Sequence, residues 1–150
     1  MKTLRLSVVL AMGCALVVAV GADTARLPGV KTPSRNIGCF YVPIKPTMHG
    51  NLLCDIHDAS YLRTLQRRCI ATAGLDWHGF SLLWNRKSQV VCSGGALYDM
   101  GRDTPTYTVV PYGKRWFYRS FSCISRVTGL TCTNGHGHGL FLSRESWRTW

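Results

Sequence analysis

Along most of the chain, apolar residues come in short runs with a period of two, cut by turn residues at close intervals. The clearest case is 121–133. Phe121, Cys123, Leu130 and Cys132 alternate with Ser122, Thr131 and Thr133, the pattern of a strand pair with one buried face. Cys123 and Cys132 flank Gly129. A disulfide needs Cα atoms roughly 4.4–6.8 Å apart, which directly opposed antiparallel residues supply. Setting 123 against 132 leaves 126–129 as a four-residue loop, with glycine at the last position, where a positive φ is common. Cysteines, glycine and alternation thus agree on one hairpin register.

The same reading along the chain predicts strands at 37–42, 52–56, 80–84, 89–92 and 106–110, and one long strand at 115–125 that feeds the hairpin. Residues 43–51, with two prolines and a glycine, read as a long hairpin loop. Residues 97–105 read as an irregular surface loop. One segment has helical spacing: Leu62, Leu65 and Cys69 share a face of 58–69, Arg63, Arg67 and Arg68 face away, and Asp58 is placed to cap it. Ser143 to Ser146 is expected to cap a last helical turn carrying Trp147 and Trp150. The fold class is mostly β: a small antiparallel meander, barrel or sandwich, with disulfide-closed hairpins and one or two short helices. No internal repeat is present.

The first 22 residues change the picture. Lys2 and Arg5 precede an apolar run, and Val20-Gly21-Ala22 ends it with small residues, as a secretory signal peptide does. Cys14 lies inside the run with apolar residues after it, the wrong place for a lipid anchor. Residues 23–31 read as a mobile lead-in and 32–150 as a single domain, with no stable membrane span once the signal is removed. Localisation is then secreted or cell envelope. Six cysteines remain, at 39, 54, 69, 92, 123 and 132. An even number in an exported chain points to disulfides, and local pairing gives Cys39–Cys54, Cys69–Cys92 and Cys123–Cys132. Without Lys2 and Arg5, 16 basic face seven acidic side chains, a formal +9. That balance favours an anionic polymer, a glycan or an envelope protein as partner, though no run of five cations marks a nucleic-acid patch.

Several pieces of the sequence together resemble a domain of unknown function found in small exported bacterial proteins, chiefly of Gram-positive type. They are Pro33-Ser34, Asn36-Ile37-Gly38-Cys39, Cys54-Asp55-Ile56, Asp76-Trp77 with Gly79, and Tyr112-Gly113. Further matches are Cys123-x-Ser125 through Gly129 to Cys132-x-Asn134, and Gly137-His138-Gly139 followed by Leu142-Ser143-Arg144. They run in order through nearly all of the chain after residue 32. The chain departs from that pattern at Arg35, where glycine is expected, at Gly95-Ala96 after Cys92, and in the lack of prolines at 58–68. The resemblance implies export and a cysteine-paired β fold, and no activity.

Candidate chemistry is sparse. His136 and His138 alternate with glycines, so both imidazoles point one way in an extended chain. Two ligands are too few for a structural zinc, and a third would have to come from His78, His57 or Asp76. The expectation is a glycine-rich turn, with no metal and no cofactor. A histidine pair with Lys114 or Lys87 is the composition of a small nuclease, which makes His78, His136 and His138 the candidates for a secreted hydrolase. The acids are scattered, and no nucleophile-elbow, zinc-protease or phosphate-loop motif occurs. The stretch 114–119 mixes cations and rings. On one long strand, Lys114, Trp116 and Tyr118 would form an exposed face while Phe117, Phe121 and Cys123 point to the core. The leading expectation is therefore a non-enzymatic binding module of the envelope or extracellular space, for an anionic or glycan partner. The histidine hydrolase and a purely structural envelope protein are the alternatives.

Overall fold

The computed structural model describes residues 28–47, 49–93 and 107–150. The segment 1–22, read as a signal peptide, and the loop expected at 97–105 lie outside the described residues. Among the described residues, eleven strands and one helix follow in order: β1 Gly29–Lys31, β2 Ile37–Ile44, β3 His49–Ile56, α1 Leu62–Ala73, β4 Asp76–Leu83, β5 Gln89–Ser93, β6 Thr108–Val109, β7 Arg115–Tyr118, β8 Phe121–Arg126, β9 Gly129–Asn134, β10 Gly139–Leu142 and β11 Trp147–Thr149. They form two sheets, in the orders β5-β4-β3-β2-β1-β6 and β11-β10-β9-β8-β7. All neighbours are antiparallel except β1 and β6. The sheets pack face to face as an open sandwich, not a closed barrel.

Alternation decides which side of each strand is core. Cys39 and Tyr41 on β2, Leu52, Cys54 and Ile56 on β3, and Phe80 and Leu82 on β4 meet Phe121, Cys123, Leu130, Cys132, Leu140 and Leu142 of the second sheet. Cys39 pairs with Cys54, Cys69 with Cys92 and Cys123 with Cys132. The first and third disulfides bridge opposed residues within each sheet. They touch across the sandwich, with Cys39 Sγ 3.9 Å from Cys132 Sγ. Tyr41 meets the rings of Tyr118 and Phe121 at 4.9 and 6.0 Å. The second disulfide ties α1 to the edge strand β5.

Several elements differ from the sequence reading for identifiable reasons. The lead-in expected at 23–31 ends in a strand, because Gly29–Lys31 pairs with β2 on one side and β6 on the other. The loop expected at 43–51 is mostly ladder, since β2 and β3 stay paired from Ile37↔Ile56 to Ile44↔His49. The strand expected at 80–84 begins at Asp76. A bulge between Trp77 and Phe80 admits it, with Gly79 at φ +96° and packed against the Cys54 carbonyl. Asp58 does not cap α1. Tyr61 holds the N-cap position with no side-chain bond, and Gly74 ends the helix at φ +64°. Asp58 is clamped instead by Asn36, which donates to its carbonyl at 3.0 Å and accepts from its N–H at 2.8 Å. The final helical turn is absent. The Ser143 hydroxyl accepts from the N–H groups of Glu145 and Ser146, but Ser143 N–H also donates to the Ser146 carbonyl, which closes a hairpin into β11.

The correction with most bearing on function concerns 115–125. This is not one strand. The chain reverses at Arg119-Ser120, with Arg119 at φ +52°, so Tyr118 opposes Phe121 and Trp116 opposes Cys123. Directly opposed residues share a face. Since Phe121 and Cys123 are core, Trp116 and Tyr118 turn inward and Phe117 turns out.

Candidate functional site: a polar cleft between three turns

Three turns converge at one place: 32–36 before β2, 126–129 between β8 and β9, and 143–145 after β10. Together with Tyr112 they surround a cleft of about 300 Å³. Each wall is fixed by its own hydrogen bonds. Thr32 closes the first turn, accepting from Arg35 N–H at its carbonyl and from Ile37 N–H at its hydroxyl. Gly129, at φ +141°, lies so close to the Leu142 carbonyl and the Phe141 ring that any Cβ would collide. Gly113 N–H donates to the Ser125 carbonyl at 2.7 Å and Ser125 N–H to the Lys114 carbonyl at 3.1 Å, which holds the Tyr112 turn against β8.

Most hydroxyls and amides of the cleft are spent on this scaffolding. Ser143 is occupied within its own turn and Asn36 with Asp58. Among the described residues, the Arg126 and Arg144 guanidinium groups have no ion-pair or hydrogen-bond partner, and neither do the side chains of Tyr112, Thr128 and Glu145. Two cations, one carboxylate and two hydroxyls therefore face a preformed opening, whose rim carries Val127, 82% exposed, and Tyr112, 42% exposed. A guanidinium is suited to a carboxylate, sulfate or phosphate oxygen pair, and a free carboxylate to hydroxyl donors. Below the cleft, the Tyr61 hydroxyl donates to the Ser143 carbonyl at 2.9 Å. Burial, and then the negative charges of Asp55 and Glu145, push its pKa upward, so it stays a donor.

The residues singled out from sequence do not meet here. Trp116 and Tyr118 stack on each other at 5.9 Å and are half-buried against the core, while Lys114 is exposed. The three do not make one exposed face. His136 and His138 sit in the β9–β10 turn. Asn134 organises that turn, its Oδ1 accepting from both histidine N–H groups at 2.9 and 3.1 Å and its Nδ2 donating to the carbonyls of Leu83 and Arg86. This places them at the far end of β4 from His78, about 16 Å along a strand at ~3.3 Å per residue. The three histidines therefore do not converge. His136 lies edge-on to Trp84, at 5.3 Å, and the opposite neighbour of Trp84 is His49, stacked at 3.9 Å. His78 instead lies near Asp55 with His57; burial raises the Asp55 pKa against a bond from Ile56 N–H and the two imidazoles. Among the described residues, the one trio of metal-ligating types within reach of each other is Cys39, Cys54 and Cys132, whose sulfurs are taken up in disulfides.

Arg126 and Arg144 carry no sequence signal as a pair, being 18 residues apart on different turns. What was visible is that Ser34, Asn36, Tyr112, Gly129, Ser143 and Arg144 all come from pieces on which the family resemblance rests. The chain as a whole was compared with known proteins. No curated protein and no solved structure matches it. A family of unknown function, DUF6636, matches residues 5–148, nearly the whole sequence. The chain belongs to that family.

Proposed function

We propose that this is an exported, non-enzymatic binding module that takes the acidic group of a glycan in the cleft between Arg126 and Arg144. The observation that carries the reading is that pair of guanidinium groups, without a partner among the described residues. They flank a preformed opening of about 300 Å³ that also offers a free tyrosine, threonine and glutamate. Hydrogen bonds to a charged group contribute roughly 1.5–3 kcal/mol each, enough for one arginine to set affinity by ten-fold or more. Three disulfides, and the absence among the described residues of any helix able to cross a membrane, suit an extracellular site of action. The signal segment at 1–22 supplies the route, and the exported chain would then begin at Asp23, which mass spectrometry of the secreted protein checks. The hydrolase alternative has no support in the site, since its histidines are apart.

The test is calorimetric titration with trigalacturonate as a probe acidic sugar. Arg144→Ala should weaken binding at least ten-fold, and added salt should weaken it further. Binding equal in the wild type and Arg144→Ala, or absent for every acidic sugar tried up to millimolar concentration, would refute the reading.

A further inference from the structure

The outward face of the second sheet has a composition unlike an ordinary solvated surface. Register places Arg115, Ile124, Thr131, Phe141 and Arg148 in one continuous rung across all five strands. The adjacent rung runs Phe117, Ser122, Thr133, Gly139. Strands lie about 4.8 Å apart, so the first rung carries a cation at each end of a span of about 19 Å. Phe117 is 67% exposed and shares this face with the Phe141 and Trp150 rings. Gly139 has no side chain because the Trp150 ring lies where its Cβ would point, and Gly129 stands in the same relation to the Phe141 ring. Arg148 is held over Phe141, 5.3 Å from the ring centre, which orients its guanidinium without neutralising it.

Charge on this face has one sign. From 107 to 150 the chain holds six cations and a single acid, Glu145, and Glu145 belongs to the cleft. Arg126, by strand parity, stands on the outward face as well as at the cleft mouth, so the two surfaces are continuous. A second copy pairing through the β7 edge would bring Lys114, Arg115 and Arg119 of each chain together, an arrangement that opposes edge pairing.

We infer that this sheet face is the platform for an extended acidic polysaccharide whose chain runs across the rungs from Phe117 and ends at the cleft. The inference rests on the acidic-glycan reading above and adds the length of the ligand and its track. A sugar chain alternates C–H faces with hydroxyl and carboxylate edges. The face alternates in the same way: Phe117 at one side, Phe141 and Trp150 at the other, and the hydroxyls of Thr131 and Thr133 between. A nucleic-acid strand fits less well, because successive bases want successive rings, and here about 14 Å of hydroxyl-bearing strands separates Phe117 from Phe141 at the same strand spacing.

Galacturonate, trigalacturonate and hexagalacturonate are the probes, titrated against the full chain, with oligo-dT as the nucleic-acid comparison. Affinity should rise at least ten-fold from the monomer to the hexamer. Phe117→Ala, at an exposed position that does not threaten folding, should abolish that gain while leaving monomer binding unchanged; Arg148→Ala should reduce it several-fold. Arg144→Ala should weaken every length. If Arg144→Ala changes nothing while Phe117→Ala still abolishes hexamer binding, the platform stands and the cleft reading fails. Equal affinity for all lengths, a length gain kept in Phe117→Ala, or tighter binding of oligo-dT that depends on Phe117, would each overturn the platform.

Discussion

Removing the Cys123–Cys132 disulfide by the paired substitution Cys123→Ala with Cys132→Ala separates two ways in which this fold is held together. The chain-entropy account uses loop length alone. With sequence separations of 9, 15 and 23 residues, it gives about 2.6 kcal/mol for Cys123–Cys132, about 3.0 for Cys39–Cys54 and about 3.4 for Cys69–Cys92. On that basis the C-terminal disulfide matters least. The structure adds a packing contribution. Cys123 and Cys132 are both 0% exposed, and Cys132 Sγ rests on Cys39 Sγ, itself tethered. Each lost sulfur is about a methylene in size, so two together cost about 1.6 kcal/mol in transfer free energy. The hole they leave adds about 1 kcal/mol more, because a second disulfide cannot relax into it. The expected loss is about 5 kcal/mol, a large fraction of a typical domain stability of about 5–15 kcal/mol. Equilibrium guanidinium unfolding of the oxidised protein measures it, with the slope fitted separately for each variant because loss of a cross-link lets the unfolded chain expand. A loss of 2.6 kcal/mol or less would show that these sulfurs are not part of the core.

Two further outcomes follow from single residues. Arg35 occupies the left-handed region at φ +57°, where an L-residue costs about 1–2 kcal/mol; Arg35→Gly should raise stability by about 0.5 kcal/mol after glycine's own entropy cost, and a fall of more than about 1 kcal/mol in thermal or chemical unfolding would contradict this. Asp55 has its folded pKa raised from 3.8 by burial. Its protonated form therefore favours folding below that value, and the benefit is lost as pH rises through the folded pKa. Asp55→Asn should be more stable than the wild type at pH 7, with the difference shrinking towards pH 4; a variant less stable at pH 7 would show that the carboxylate's charge is needed.

The strand content and the Cys123/Cys132 register could be read because both depend on local spacing: a period of two and a glycine at the fourth loop position. What could not be read depends on partners distant in sequence. The clamp between Asn36 and Asp58 takes Asp58 away from the helix it was expected to cap, and nothing in the run 58–69 signals that competition. The two-residue reversal at Arg119-Ser120 has no glycine, proline or asparagine to announce it, so 115–125 looks like one strand. That single turn reverses the parity of β7 and exchanges Phe117 for Trp116 and Tyr118 on the outer face. The aromatic and basic character of the stretch was visible; which rings are offered to solvent was not. Arg126 and Arg144 meet only because two hairpins of the second sheet turn at the same end.

The central claim is that an acidic sugar sits between those two arginines, and amide chemical-shift mapping during a trigalacturonate titration tests it most directly. Saturable shifts concentrated at 126–129 and 143–145, and lost in Arg144→Ala, are expected. Shifts centred instead on His78 and the α1 surface, with 126–129 unmoved, would contradict the account.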